Sequence, residues 1–218
     1  MKGKFLSIII LSIIIFCVFC YWSTDSYQPH KNRNVPNFVF IPHVEIPELK
    51  PFDTIYRYAG FSLQYAEEYE QAYWVAYMHC KAKLSQIALR SNAFKKDPNI
   101  VTESASSADY RKSGYDRGHL APAADMKWSV QAMNESFYYS NICPQLPTLN
   151  RGVWKDIEEK VRHWVQIYDT VYVITGPVLH KELPTIGKNK VAVPEKFYKV
   201  LLLYSSTVQD AVGFIVPN

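Results

Sequence analysis

The sequence predicts an α+β fold in which a largely antiparallel sheet is flanked by helices. Residues 61–65 alternate apolar and polar side chains as a half-buried strand does, and other short segments are rich in β-branched and aromatic residues. These strand-like segments outnumber the helical ones and meet through short connections, which favours antiparallel pairing. The segments predicted as strands are 61–65, 73–77, 137–142, 170–175, 191–194, 197–204 and 211–216.

The segments between these predicted strands are assigned from their composition and apolar spacing. Residues 84–89 fit either a short helix or a strand, whereas residues 97–109, rich in Ser and Ala, predict a loop. A helix is predicted to begin near Asn150, because apolar residues then recur with helical spacing and form one core-facing stripe. That stripe consists of Val153, Ile157, Val161 and Trp164.

The chain is predicted to have three parts: a membrane anchor or signal segment (1–22), an extended tether (23–50) and a folded domain (51–218). Residues 5–22 are apolar apart from two serines, which is near the lower limit for crossing a bilayer. Lys2 and Lys4 precede this run, and no small-x-small cleavage site ends it. We therefore expect an uncleaved anchor with the domain on the periplasmic or extracellular side. The alternative is a cleaved signal and a secreted domain.

The composition indicates a protein with a sizeable core. A content of 48% hydrophobic and 15% aromatic residues excludes a disordered chain. The net charge of +4 is compatible with a polyanionic partner but does not identify one. Cys80 and Cys143 have no CxxC partner, so buried free thiols and a single disulfide both remain open.

Polar residues suited to one reaction are concentrated in the middle of the chain. Gly114 and Gly118 flank a predicted turn that presents Arg117 and His119. Hydrolysis of a phosphodiester needs a base for water, positive charge on the phosphate oxygens and stabilisation of the leaving oxygen. A neutral imidazole suits the first task, and an arginine or a metal ion held by oxygen ligands suits the others.

On the predicted helix, further polar residues lie along a stripe beside the apolar one. Asn150, Glu158 and Arg162 follow one another at multiples of four and point toward one side. Each of these three residues also has a purely structural interpretation. Asn150 is also typical of a helix N-cap, and Glu158 with Arg162 of a surface ion pair.

The ordered motif resembles the DNA/RNA non-specific endonucleases. These form a ββα-metal (His-Me finger) group that includes secreted bacterial nucleases and mitochondrial endonuclease G, and the likeness extends from about Tyr56 to Val216. The resemblance implies a nuclease domain over residues 51–218. The matching residues are Asp116, Arg117, Gly118, His119, Asn141, Pro144, Gln145, Asn150, Trp154, Glu158 and Arg162.

The resemblance also implies roles for individual residues. His119 matches the general base, and Asn150 matches the sole direct protein ligand of a single Mg²⁺, with Mn²⁺ as an alternative ion. Glu158 matches an acidic residue that holds metal-bound water. Arg117 and Arg162 match arginines near the active centre, of which Arg162 is expected to contact phosphate.

Four further residues have lesser expected roles. Asp116, Asn141 and Gln145 are expected to support the geometry of the site, and Arg90 loosely matches a phosphate-contacting arginine. The family cleaves DNA and RNA and leaves 5′-phosphates, so these nucleic acids are the expected substrates. The membrane, a homodimer partner and an inhibitor protein are further partners left open.

Two rival functions remain at this stage. One rival is a catalytically inactive relative that binds nucleic acid or a partner protein at the membrane. The other rival is a thiol hydrolase that uses Cys143 with His119. Cys143 precedes a proline and has no basic neighbour that would lower its pKa, which argues against the second rival.

Overall fold

A computed structural model describes residues 45–102, 104–204 and 209–218. The predicted anchor and most of the predicted tether lie outside these residues. Within them, no helix has both the length and the apolar character needed to cross a membrane.

The described residues form ten strands and four α-helices, besides several 3₁₀ turns. The strands are β1 (Tyr56–Arg57), β2 (Ser62–Ala66), β3 (Gln71–Cys80), β4 (Asp116–His119), β5 (Ile142–Gln145), β6 (Thr170–Pro177), β7 (Thr185–Ile186), β8 (Val191–Ala192), β9 (Lys196–Tyr204) and β10 (Gln209–Pro217). The helices are α1 (Ser107–Tyr110), α2 (Val130–Glu135), α3 (Pro147–Arg151) and α4 (Val153–Tyr168).

The large sheet contains six strands in the order β1-β2-β3-β6-β9-β10, and every neighbouring pair is antiparallel. This confirms the predicted α+β class and five of the predicted strands, which became β2, β3, β6, β9 and β10. Of the strand predicted at 191–194, only Val191–Ala192 (β8) is a strand, and it pairs with β7 in a separate two-stranded ribbon. Alternation explains the success: on β9, Phe197, Lys199, Leu201 and Leu203 are all fully buried.

The strand predicted at 137–142 is wrong. Residues Tyr139–Asn141 form a 3₁₀ turn, and β5 starts only at Ile142 and runs through Pro144. The buried Asn141 amide explains the shift, because its side chain bonds to the Ser136 carbonyl before the turn and to the backbone of Ala121 on a neighbouring segment. β5 then pairs with β4 to make the second small ribbon.

The helix predicted to begin near Asn150 is two helices separated at Gly152. The backbone there has φ −106° and ψ −120°, and a Cβ at this position would lie 2.5 Å from the Thr148 carbonyl oxygen. Asn150 therefore lies in the last turn of α3 and is not an N-cap. Val153 is exposed, so its place in the core-facing stripe is wrong. The buried residues of α4 are Trp154, Ile157, Val161, Trp164 and Val165.

Two other expectations are decided by the structure. Residues 84–89 form neither the helix nor the strand expected, because a 3₁₀ turn ends at Leu84 and the following backbone is irregular, tied by the Ile87 and Ala88 amides to the Lys127 carbonyl. Ser107–Tyr110 is helical, although residues 97–109 predicted only loop.

Cys80 and Cys143 are free thiols, and burial raises the pKa of Cys143 well above its usual value. A buried, protonated Cys143 argues against the thiol-hydrolase rival.

The last described residue fastens the edge strand β10 to the segment before α3. The Asn218 side chain accepts a hydrogen bond from the Leu146 amide at 2.8 Å, and its Nδ2 donates to the carbonyl oxygens of Pro144 at 3.1 Å and Pro194 at 2.8 Å. Leu146 immediately precedes α3, the helix that carries Asn150.

Candidate active site

Helix α4 docks onto the β4–β5 ribbon through one indole. His119 pairs with Ile142 at one end of the ribbon, and the Trp154 Nε1 donates to the His119 carbonyl oxygen at 3.3 Å. Trp154 is almost completely buried, so this contact is shielded from water. Strands β4 and β5 and helix α4 thus form the ββα unit that the resemblance implies, and His119 is the last residue of β4.

The His119 ring lies in an apolar and electropositive pocket. Phe94 and Phe137 pack against it, with ring centroids 5.5 and 4.9 Å away, and the buried Nε2 has no hydrogen-bond partner among the residues that the structure describes. Burial, together with the charges of Arg90 and Arg117, lowers the His119 pKa to about 3. The imidazole is therefore neutral near pH 7, the state that a general base needs.

The Asn150 side chain is oriented by Asp116. Its Nδ2 donates to Asp116 Oδ2 at 3.0 Å, and since a carboxylate only accepts, the amide oxygen must face the other way. Arg151 donates two bonds to the same carboxylate, at 2.8 and 2.7 Å. These Arg151 bonds, with the one from Asn150, hold the Asp116 pKa below its usual value although burial acts against them.

A hard metal ion fits this arrangement. Within the described part of the chain, no cluster of three or more His, Cys, Asp or Glu side chains could bind a metal. A metal near Asn150 would therefore rest on the Asn150 amide oxygen and on water. Mg²⁺ accepts such a shell, because it prefers oxygen ligands and keeps several of its waters.

Glu158 lies half-buried one helical turn beyond Trp154. Burial raises the Glu158 pKa to about 8; Lys199 and Arg162 lower it, and Asp125 raises it. Lys199 has its own pKa lowered to about 8, chiefly by burial. The two side chains therefore share a site in which both charged forms are disfavoured.

Lys199 is a residue that the sequence interpretation missed. It is fully buried on β9, with its Nζ 3.2 Å from Thr175 Oγ1 and 4.5 Å from the centre of the Trp154 ring. A signal for it existed in the sequence: Lys199 occupies an inward position of an otherwise apolar alternating strand. A lysine at such a position needs buried partners, and here they belong to the site.

Arg162 does not pair with Glu158. Its Nη1 donates to Asp125 Oδ1 at 2.8 Å, and Tyr77 donates to the other Asp125 oxygen at 2.9 Å. Asp125 is completely buried, so it fixes the arginine firmly. The alternative that Glu158 and Arg162 form a surface ion pair is therefore wrong, because Arg162 pairs with the buried Asp125. Asp125 is a second residue that the sequence interpretation missed.

Two further arginines lie over aromatic rings beside His119. The Arg117 guanidinium carbon is 4.1 Å from the centre of the Phe94 ring, and that of Arg90 is 5.1 Å from the centre of the Phe137 ring. Arg90, which the sequence matched only loosely, is thus close to the centre of the site. Both arginines place positive charge where an anionic substrate would approach His119.

A cleft of about 480 Å³ opens next to Asn150. It brings together residues from α1, the following loop, β4 and α3. Its lining residues are Phe94, Ser107, Tyr110, Arg111, Tyr115, Asp116, Arg117 and Asn150. Arg111 was not recognised from the sequence, because it lies outside the motif and is carried there by the fold of its loop.

The remaining expected supports, Gln145 and Asn141, are both fully buried. Gln145 packs over Gly118, where a Cβ would lie only 2.1 Å from its Oε1. Gly118 therefore leaves room for Gln145. Asn141 donates to the carbonyl oxygens of Ala121 and Ser136 and accepts from the Ala121 amide, each at 2.9 Å. It holds the chain immediately after His119.

Replacing Asn141 with alanine is expected to lower the free energy of unfolding by about 2–4 kcal/mol, because two carbonyls and one amide lose their buried partner. Urea denaturation of the variant beside the unmodified chain measures the change. The exposed Asn134 is the matched control, and Asn134→Ala is expected to change the midpoint little. Equal midpoints for the two variants would contradict a supporting role for Asn141.

The chain is similar to known nucleases. A model of the DNA/RNA non-specific endonuclease family matches residues 45–218. Mitochondrial endonuclease G of Bos taurus is 38% identical over 173 residues, which cover 73% of this chain and 58% of that protein. Mitochondrial nuclease EXOG of Homo sapiens is 38% identical over 177 residues, covering 74% of this chain and 48% of that protein.

A solved structure is also similar. It is a crystal structure of the EndoG/EndoGI complex, described as showing the mechanism of EndoG inhibition. Its matched chain is 32% identical, with a TM-score of 0.71, and the match covers 79% of this chain and 76% of that one. The chain spans about half the length of the curated relatives that it matches.

Proposed function

Since the chain belongs to the DNA/RNA non-specific endonuclease family, we propose that it hydrolyses phosphodiester bonds of DNA and RNA with the help of a bound Mg²⁺. The observation that carries this proposal is a neutral His119 on the same short strand as Asp116, together with an Asn150 whose amide oxygen is turned away from Asp116. One group accepts a proton and the other is a metal ligand, as the reaction requires.

His119 acts as the base in this mechanism. The neutral imidazole accepts a proton from water as the water attacks phosphorus in line with the departing oxygen. The bond from Trp154 to the His119 carbonyl holds the backbone of the base in place. Phe94 and Phe137 pack against the ring and shield it from bulk water.

Asn150 would hold the metal, and Glu158 would hold water bound to it. Mg²⁺ there would supply Lewis-acid polarisation of the phosphate and neutralise charge on the leaving oxygen. Burial raises the Glu158 pKa, and the charges of Lys199 and Arg162 offset part of that rise in favour of the carboxylate, the form that accepts hydrogen bonds from water. A cleaved strand is expected to carry a 5′-phosphate.

The arginines neutralise the phosphate. Arg90 and Arg117 lie beside His119, where their charge faces the non-bridging oxygens of the substrate. Arg162 is held by Asp125, so it presents its remaining donors in a fixed direction. Fixed donors need no reorganisation as charge develops, which is the usual source of their catalytic effect.

Metal removal tests the proposal. The full chain with Mg²⁺ is expected to degrade both plasmid DNA and RNA, and EDTA is expected to lower both rates at least a hundredfold, since the ion's contribution amounts to several kcal/mol. Excess Mg²⁺ should restore the rates. Gel electrophoresis of both substrates measures this, and cleavage that continues unchanged in EDTA would refute the metal-assisted mechanism.

The rival function, an inactive relative that binds nucleic acid or protein, predicts a different result. In that case the folded chain would bind labelled DNA without cleaving it at any Mg²⁺ concentration. The neutral His119 imidazole and the ordered Asn150–Asp116 contact favour the enzyme. Attachment to a membrane outside the cytoplasm, a homodimer and an inhibitor protein remain predictions of the sequence interpretation.

A further inference from the structure

One wall of the cleft beside Asn150 carries a cation that the mechanism above does not use. Arg111 lines the cleft and is exposed, and its guanidinium has no hydrogen bond or ion pair within the part of the chain that the structure describes. Tyr115, which is partly exposed, lines the same cleft, whereas Tyr110 is buried in the core. An unpaired guanidinium and a partly exposed aromatic ring suit a nucleotide, which has both a phosphate and a stacking surface.

The loop that carries Arg111 is ordered before any ligand binds. Lys112 and Gly114 both adopt positive φ, at 57° and 86°, so the chain turns tightly between Arg111 and Tyr115. Ser113 Oγ donates to the Tyr110 carbonyl at 2.9 Å and accepts from the Tyr115 amide at 3.2 Å. The loop therefore presents Arg111 without a large entropic cost at binding.

The base of this loop is fixed to a distant segment. Asp109 accepts hydrogen bonds from the Asn189 backbone amide at 3.0 Å and from the Asn189 side chain at 2.9 Å. It also accepts from Ser106 at the start of α1. Helix α1 thus has a rigid position relative to the β7–β8 ribbon, and Arg111 at its end does too.

The charge of the cleft favours an anion. Asp116 is the one carboxylate among the lining residues, and Arg151 already binds both of its oxygens. Arg111 and Arg117 contribute two positive charges that Asp116 does not neutralise. A polyanion longer than the reacting phosphodiester would be attracted along this wall.

We propose that this cleft binds the nucleotide next to the scissile bond, and that Arg111 binds the adjoining phosphate. The proposal rests on the nuclease function proposed above. The base of that nucleotide lies against Tyr115, which accepts any base because every base has a stacking face. Arg111 is in this scheme a binding residue for the strand and takes no part in bond cleavage.

Substrate length tests the proposal. Arg111→Gln is expected to lower kcat/KM about tenfold for a tetranucleotide, because a charge-assisted contact to the adjoining phosphate is lost. For a dinucleotide with one phosphodiester, the same variant is expected to match the unmodified chain within about twofold. An equal loss on both substrates would overturn the assignment, because Arg111 would then act at the scissile phosphate.

Salt dependence gives a second measurement that does not need cleavage. Binding of a labelled single-stranded oligonucleotide in EDTA is followed by fluorescence polarisation at several salt concentrations. Arg111→Gln is expected to reduce the slope of log K against log salt by about 0.7, the value for one phosphate contact on a single strand. Because no metal is needed, this result stands even if the chain cleaves nothing, and it separates failure of this proposal from failure of the proposed nuclease function.

Two variants control for general electrostatics. Arg111→Lys keeps the charge and is expected to keep the slope, while losing part of the affinity because the two-pronged contact is gone. Lys112→Gln removes the neighbouring charge, which does not line the cleft, and is expected to leave both the slope and the tetranucleotide kcat/KM nearly unchanged. If Lys112→Gln lowers the slope as much as Arg111→Gln, the specific phosphate contact is refuted.

Discussion

Replacement of His119 by alanine is expected to lower kcat for DNA and RNA cleavage by about a hundredfold to ten-thousandfold, the usual contribution of a positioned general base. KM is expected to change little, because the proposed base acts on water in the reaction and is not expected to hold the strand. Steady-state kinetics on plasmid DNA and on RNA with saturating Mg²⁺ measure both constants.

A second histidine provides the matched control. His163 lies exposed on α4, and His163→Ala is expected to have the kcat of the unmodified chain. The His119→Ala protein must still bind labelled DNA in EDTA, which shows that the strand site has survived the change. A variant that keeps more than about a tenth of the original kcat would mean that another group takes the proton.

The second large effect is expected for Asn150. Asn150→Ala removes the amide oxygen that faces away from Asp116, so at fixed low Mg²⁺ the rate is expected to fall at least a hundredfold. Raising the Mg²⁺ concentration should recover part of the loss if the remaining ligands still bind the ion weakly. A titration of rate against Mg²⁺ therefore separates weaker metal binding from a damaged catalytic step.

The control for Asn150 uses the same carboxylate. Asn150→Ala also breaks a bond to Asp116, and Arg151→Ala breaks bonds to Asp116 without touching the amide oxygen. Arg151→Ala is expected to shift the Mg²⁺ dependence much less. If the two titration curves coincide, the loss comes from a disturbed Asp116, and Asn150 is not the ligand.

The parts that the sequence predicted well are those set by local patterns. Strands β9 and β10 were predicted from their apolar and β-branched residues, and the burial of Ile157, Val161 and Trp164 on α4 was predicted from helical spacing. The predicted stripe of Asn150 and Glu158 along one helix is wrong, because the two residues lie on different helices. The break at Gly152 was not predicted, because a single glycine within a helical pattern is usually tolerated. The exposure of Val153 is a consequence of that break.

The parts that were missed depend on pairings between distant segments. Asp125 meets Arg162 and Tyr77, and Lys199 meets Trp154, only because the sheet and α4 bring them together. Arg111 reaches the cleft through left-handed turns after α1. No periodicity within a short window contains this information, since it resides in the tertiary fold.

The contact between Asn218 and the segment before α3 links the edge of the sheet to the candidate metal ligand. Edge strands are among the regions that open locally, and opening of β10 would release the Leu146 amide at the start of α3. If the proposed metal binds through Asn150, it would favour the closed form, and the closed form would in turn favour the metal by the same free energy. Amide protection along β10 is then expected to rise with metal occupancy, although none of the described residues of β10 lines the cleft.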